Sequence, residues 1–152
     1  MISQKAKYAF KALLVLAKSQ GRTVQIEEIA REDAIPRKFL EQILLELKHA
    51  GLIASRRGPT GGYTLIKDPA EISIGQVLRI VDGPIAPLPC LSRTAYRRCL
   101  DCRDESNCGV RRLFAETYSA TLLFMERATL SEALKGGGSV AKALAGNAEA
   151  VG

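Results

Sequence analysis

Residues 36–63 read PRKFLEQILLELKHAGLIASRRGPTGGY, and this stretch decides the fold. Proline is tolerated in the first turn of a helix, where its missing N–H costs nothing, so Pro36 marks a start. Phe39, Leu40, Ile43, Leu44 and Leu47 then recur at three- and four-residue steps. That spacing places them on one helical face, with Gly51 as the stop. The opposite face carries Arg37, Lys38, Glu41, Gln42, Glu46 and Lys48. Past Gly51, Leu52-Ile53-Ala54 and Tyr63-Thr64-Leu65 are short strand candidates. The connection between them, from Ser55 to Gly62, has a glycine-rich tip with Arg56 and Arg57 at its base, which predicts a hairpin. Upstream, a helix over about 26–33 turns Ile26, Ile29 and Ala30 inward, and Asp33-Ala34-Ile35 forms a tight turn into Pro36. Two short helices joined by a tight turn, the second polar and basic on its outer face, form the helix-turn-helix pattern. The hairpin behind them adds a wing.

Outward from this centre, Tyr8, Ala9, Ala12, Leu13, Leu16 and Ala17 predict a first helix over 5–19, stopped by Gly21. Downstream, Asp68-Pro69 breaks the chain, and Ser73-x-x-Gln76 reads as a capping box opening a helix to about Val81. Residues 83–89 are proline-rich and irregular. A long amphipathic helix follows from Val110 to Arg127, with Val110, Leu113, Phe114, Tyr118, Thr121, Leu122 and Met125 at helical steps. Thr129-x-x-Glu132 is a second capping box before a final short turn. The fold class expected is mainly α with a small β-hairpin wing. Three regions follow: a winged helix-turn-helix over 1–67, a cysteine-bearing loop and long helix over 68–134, and a Gly/Ala/Ser-rich tail over 135–152 that reads as disordered.

The chain has 152 residues, 47% hydrophobic and 25% charged. That composition excludes collagen-like, mucin-like and wholly disordered classes. No window is apolar enough for a transmembrane helix, so no membrane role is expected. The lysine-bearing N-terminus lacks a small-residue cleavage site, which makes the cytoplasm the default address. Net charge is +6, and residues 1–67 hold 12 Lys/Arg against 6 Asp/Glu, so the whole excess lies there. A localised basic excess favours a polyanion, because each cation that neutralises a phosphate releases counterions. Double-stranded promoter DNA is the expected partner. Arg37, Lys38 and Gln42 have the chemistry to read guanine and adenine in the major groove. Glu41 repels phosphates unless it accepts from a cytosine amino group, so it is expected to penalise wrong sequences. Arg56 and Arg57 suit a narrow minor groove, where negative potential is focused. His49, the single histidine, suits the C-terminal end of its helix. No catalytic constellation and no nucleotide loop is present, so neither an enzyme nor a small-molecule substrate is expected.

Lys7-Tyr8-Ala9, Phe39-Leu40-Glu41-Gln42-Ile43-Leu44, Gly51-Leu52-Ile53 and above all Arg57-Gly58-Pro59-Thr60-Gly61-Gly62-Tyr63 resemble the Rrf-two family of bacterial winged-helix regulators. Ile72-Ser73-Ile74-Gly75-Gln76-Val77 resembles the family's next segment, and the resemblance covers roughly residues 1–134. It implies a homodimer on a pseudo-palindromic promoter site, with 110–127 as the dimerisation helix. It also implies DNA contacts from the wing, Gly61 and Tyr63 included, and a role for Glu41 in choosing DNA sites.

All four cysteines lie within 19 residues, spaced Cys90-x8-Cys99-x2-Cys102-x5-Cys108. Four thiolates complete either an iron–sulfur cluster or a tetrahedral zinc site, and the spacing alone does not separate them. A thiol–disulfide switch is the third possibility. Arg93, Arg97, Arg98 and Arg103 flank the thiols and are expected to favour thiolate. The resemblance implies an iron–sulfur cluster, [2Fe–2S] or [4Fe–4S], on Cys90, Cys102 and Cys108. The fourth ligand of IscR-like members, a histidine, is replaced here by Arg111. That of NsrR-like members, an aspartate of the partner's first helix, is replaced by Tyr8. Cys99 is the additional thiol that could take the vacant place. Filling of this site is expected to order residues 90–108 and to bias the spacing of the two DNA-reading domains.

Overall fold

The computed structural model describes residues 2–136. The first helix, α1, runs Gln4–Lys18. Ser3 caps it by accepting the Ala6 amide N–H on Oγ at 2.9 Å, which satisfies one of the donors a helix start leaves open. Ala6, Ala9, Ala12, Leu13 and Leu16 are fully buried along one stripe. The alanines let neighbouring helices approach closely. The helix ends at Ser19, and the chain turns through Gln20 and Gly21, both at positive φ (51° and 87°).

Helix α2 (Ile26–Glu32) and helix α3 (Arg37–His49) form the helix-turn-helix, with the turn made by Asp33 to Pro36. Ala34 sits at φ 51° in that turn. Pro36 is the cap residue of α3 rather than its first turn. Leu40, Ile43, Leu44 and Leu47 are fully buried against α1, each contributing roughly 1.5–3 kcal/mol. Phe39, expected on the same face, is instead 48% exposed. The buried stripe is a strict i, i+3, i+4, i+7 set starting at Leu40, and one step back rotates Phe39 by about 100° onto its rim. There it meets Tyr8 edge-on, with ring centroids 5.9 Å apart. His49 closes α3, where expected.

Strands β1 (Ile53–Arg56) and β2 (Gly62–Leu65) pair antiparallel in the register Ile53↔Leu65 to Arg56↔Gly62. Helix α4 (Ile74–Val81) is capped by Ser73, whose Oγ accepts the Gln76 amide N–H at 3.1 Å. The reciprocal half of the expected box is absent, because the Gln76 side chain accepts from Lys67 Nζ instead (3.4 Å). Helix α5 spans Gly109–Arg127 and helix α6 Leu130–Leu134. The second capping box is complete: Thr129 and Glu132 each receive the other's backbone N–H.

The division expected after residue 67 does not divide the core. Ile72, Val77 and Leu78 of the α4 region and Leu130 of α6 join the α1–α3 residues in one buried cluster. A helix of only five residues cannot be stable alone, so α6 docks its Leu130 there. Residue 135 onward was expected to be a tail; residues 137–152 lie outside the described residues. The apolar stripe expected on α5 exists, but within one protomer only Leu122 of it is buried. Val110, Leu113 and Phe114 are 55%, 72% and 42% exposed.

Candidate nucleic-acid interface and cysteine site

Arg37, Lys38, Glu41 and Gln42 all stand exposed on the outer face of α3, opposite the buried leucines. Their side chains are not equally free. Arg37 is held by two carboxylates: its Nη1 donates to Glu27 of α2, and its Nε donates to Glu41 at 3.1 Å. These contacts, Glu41 first, keep the guanidinium more firmly protonated than usual. Gln42 donates through Nε2 to Glu46 (2.9 Å), and Lys5 of α1 donates to the same carboxylate (2.9 Å). Partial burial works against the charge of Glu46, but Gln42 and Lys5 together hold its pKa below the ordinary glutamate range. Lys38 has no such tether among the described residues.

The wing is anchored by backbone, and its glycines explain how. Val24 and Tyr63 exchange both N–H···O bonds, each 2.8 Å, so the residues ahead of α2 add a short third rung to the hairpin. A Cβ on Gly62 would stand 2.4 Å from the Val24 carbonyl oxygen. One on Gly61 would stand 2.4 Å from that of Arg56, and Gly61 also donates to the Gly58 carbonyl (2.9 Å). Gly61 and half-buried Tyr63 therefore build the wing. Arg56 and Arg57 remain exposed beside it. Gln25 Nε2 donates to the Pro59 carbonyl (3.3 Å) and ties the wing tip to the start of α2. The concave surface between α2 and the wing brings together Gln25, Lys48, Arg56 and Arg57. Lys48 and Gln25 were not among the residues expected at this surface. Lys48 could have been placed there by its helical phase. Nothing in the sequence signals Gln25, whose role depends on a long-range contact.

The second site lies further along the chain, after α4. Residues 83–108 are irregular apart from one 3-10 turn at Pro89–Leu91. They fold so that Cys90, Cys99, Cys102 and Cys108 all line one cavity of about 470 Å3. All four are free thiols. Cys90 is buried, and the other three are half-buried. Cys108 is the cap residue of α5, its Sγ accepting the Arg111 backbone N–H at 3.4 Å. Desolvation, followed by the hydrogen-bonded Cys90 sulfur, pushes the Cys99 thiol above its ordinary pKa. The flanking arginines do not counter this. Arg98 donates to the Cys102 and Arg103 carbonyls (both 3.0 Å) and so staples the loop backbone, while Arg93 lines a separate cavity with Arg79 and Glu126. Among the described residues, no three ligating side chains converge tightly enough to hold a single metal ion. The Arg111 side chain also lines the cysteine cavity, and its Nε is buried without a hydrogen-bond partner among the described residues. Four thiols and an orphaned cationic donor around one cavity fit an anionic sulfur-ligated group.

A helix-turn-helix with an arginine-bearing wing on the same face defines a winged-helix DNA-binding regulator. Comparison with known proteins agrees. The family model "Rrf2: Iron-dependent Transcriptional regulator" matches residues 2–136. An Rrf2-like HTH-type transcriptional regulator of Rhodobacter capsulatus is 50% identical over 148 residues, 95% of this chain and 99% of that protein. The HTH-type transcriptional regulator IscR of Vibrio atlanticus is 33% identical over 135 residues, 88% of this chain and 75% of IscR. Among solved structures, CymR, the global cysteine regulator of B. subtilis, superposes with a TM-score of 0.72 at 28% identity, covering 89% of this chain and 96% of CymR. The chain belongs to the Rrf2 family of transcriptional regulators, which bind DNA and are not enzymes. Among the described residues no helix is long and apolar enough to cross a membrane.

Proposed function

We propose that this chain acts as a homodimer on a pseudo-palindromic promoter site and that an iron–sulfur cluster on Cys90, Cys99, Cys102 and Cys108 governs its DNA affinity. The observation that carries the proposal is the convergence of all four cysteines on one cavity at the start of α5. In a tetrahedral zinc site the sulfurs lie about 3.8 Å apart, given Zn–S bonds of about 2.3 Å. A cluster spreads its ligands over several metal atoms and so does not need all four thiols around one ion, which accords with the absence of a single-ion ligand set among the described residues. When bound, such a group supplies a charge that changes with redox state and a lability toward oxidants.

The chain's own residues supply the coupling. Cys108 starts α5, and α5 packs on α4 through Arg79 and Glu126, 2.6 Å apart. In turn α4 packs on α1 and α3. A shift of the α5 start therefore acts on the element that carries the DNA-reading face. Two recognition helices must sit about 34–36 Å apart to read adjacent major-groove faces. A small rotation between protomers then loses contacts at both half-sites.

The test is anaerobic purification and reconstitution, with iron and acid-labile sulfide assayed. DNA affinity is then compared with and without cluster on duplexes enriched from a random library. The expected result is a brown protein whose affinity changes at least tenfold on cluster loss. Cys99→Ser should lose iron or change its absorption spectrum. An unchanged cluster in that variant removes Cys99 from the ligands.

A thiol–disulfide switch is the second reading, and one feature favours it. Cys90 and Cys99 are free thiols on the wall of one cavity, and the structural relative CymR is named as a global cysteine regulator. Oxidation that produces a Cys90–Cys99 disulfide by peptide mapping, and changes DNA affinity in metal-free protein, selects it. Stoichiometric zinc in a colourless protein selects a structural zinc site.

A further inference from the structure

We propose that Arg111 is the outer partner of the group held by the four cysteines, donating from Nε–H to one of its sulfurs and fixing a positive charge beside it. This inference rests on the iron–sulfur reading above. Its starting point is an anomaly. Arg111 lies on the first turn of α5, and its Nε is shielded from solvent with no acceptor in reach. Buried donors in native proteins are almost always paired, so a specific exception calls for a missing partner. A guanidinium cannot shed its charge to relieve the burial, unlike a lysine or histidine.

The surroundings narrow what that partner is. The side chain lines the cysteine cavity. Two carboxylates share the same wall, Asp101 and Asp104, yet neither is paired with it. Asp104 is engaged by Ser106 and by the Asn107 amide (2.6 Å). The four sulfurs line the same wall. The Arg111 backbone N–H already donates to one of them, Cys108 Sγ, at 3.4 Å. One residue therefore offers two donors to the thiol site, from the helix end where negative charge is favoured. Arg112, its neighbour, is exposed and does not line the cavity.

The chemical consequence follows from charge. A cluster bound by four thiolates is a net anion, and taking up one electron makes it more so. A fixed cation and a hydrogen bond to sulfur stabilise the reduced form more than the oxidised one, and so raise the potential. The same contacts hold the group in its cavity.

The experiment uses full-length protein reconstituted anaerobically with iron and sulfide. Arg111→Met, Arg111→Lys and Arg112→Met are compared with wild type. An optical titration with dithionite and mediators gives the one-electron midpoint, and an iron chelator gives the rate of cluster loss. Arg111→Met should lower the midpoint by about 59 mV or more, a tenfold change in preference for the reduced form, and should lose iron several-fold faster. Arg111→Lys keeps the charge but not the planar Nε donor, and should fall between. Arg112→Met removes the same formal charge and should change the preference less than twofold. Equal shifts in Arg111→Met and Arg112→Met overturn the inference while leaving the cluster standing. A wild-type protein that takes up no sulfide overturns the iron–sulfur reading and the inference with it. If Arg111→Met does not fold, Arg111→Lys decides: a change above twofold supports the role, and none refutes it.

Discussion

Gly62 is the residue where backbone space matters most. Its missing Cβ lets β2 come close enough for the Val24–Tyr63 rung, which hangs the wing on the segment leading into α2. Gly62→Ala must push the Val24 carbonyl away, because 2.4 Å is far inside contact distance. The expected cost is about 1–3 kcal/mol, read as a lower denaturation midpoint in urea, whereas Gly21→Ala meets no atom within 4 Å and is strained only by its positive φ. Arg57 carries the opposite kind of role, since it is exposed and its side chain makes no hydrogen bond or ion pair among the described residues. Arg57→Ala should leave stability unchanged and weaken duplex binding about tenfold, close to 1.4 kcal/mol, with the salt slope reduced by about one. Both residues belong to a motif whose glycines and arginines are conspicuous in the sequence, so their place on the wing was readable. What each glycine avoids was not, because Val24 lies far off along the chain. Phe39 and Arg111 mark the same boundary. Periodicity counts Phe39 as apolar but cannot fix helix phase to one residue, and a sequence cannot show that the Nε of a half-buried arginine is shielded without an acceptor among the described residues.

At the scale of elements, one carboxylate reaches three residues across the joint between α4 and α5. Glu126 faces Arg79 at 2.6 Å and Ser73 Oγ at 3.5 Å, and it lies against Gly75, where a Cβ would come within 3.1 Å of its Oε1. The hydrogen bond from Arg79 lowers the Glu126 pKa, with desolvation opposing it more weakly. Because the folded pKa lies below the unfolded one, the pair's contribution is fully present above the ordinary glutamate value of 4.5 and is lost as pH falls through the depressed folded value. The carboxylate is 39% exposed, so screening keeps the energy near that of a surface pair, roughly 0–1 kcal/mol. Glu126→Gln should thus lower the thermal midpoint slightly at neutral pH and flatten its acid dependence below pH 4.5. An unchanged acid limb in that variant would remove the pair from the joint. The helices themselves were legible from capping residues and apolar spacing, α6 even to its complete Thr129–Glu132 box. Their grouping was less so. A boundary placed where the basic excess ends misses that α4 and α6 return to α1, since burial of Ile72 and Leu130 is a tertiary fact.

For the whole molecule, α5 poses the sharpest physical question. Val110, Leu113 and Phe114 leave a row of apolar surface open in the protomer, with Leu123 and Phe124 also 49% and 37% exposed. A solvated helix has no need of such side chains, and exposed apolar rows of this kind mark contact surfaces. In the homodimer proposed for this chain, a second copy of the same helix brings a matching row by two-fold symmetry. Dimerisation converts the second half-site contact into an intramolecular event, which raises overall affinity by about 10²–10⁴ without any new DNA contact. Leu113→Asp tests this, because Leu113 is 72% exposed and its loss leaves the protomer core intact. Wild type should sediment as a dimer, and the variant as a monomer. The variant should bind a duplex with two half-sites at least a hundredfold more weakly than wild type, yet match it on a single half-site. Dimer formation by the variant would move the interface off this face. A hundredfold loss on the single half-site as well would mean that α5 acts on the reading face within one protomer, through α4, rather than by joining two of them.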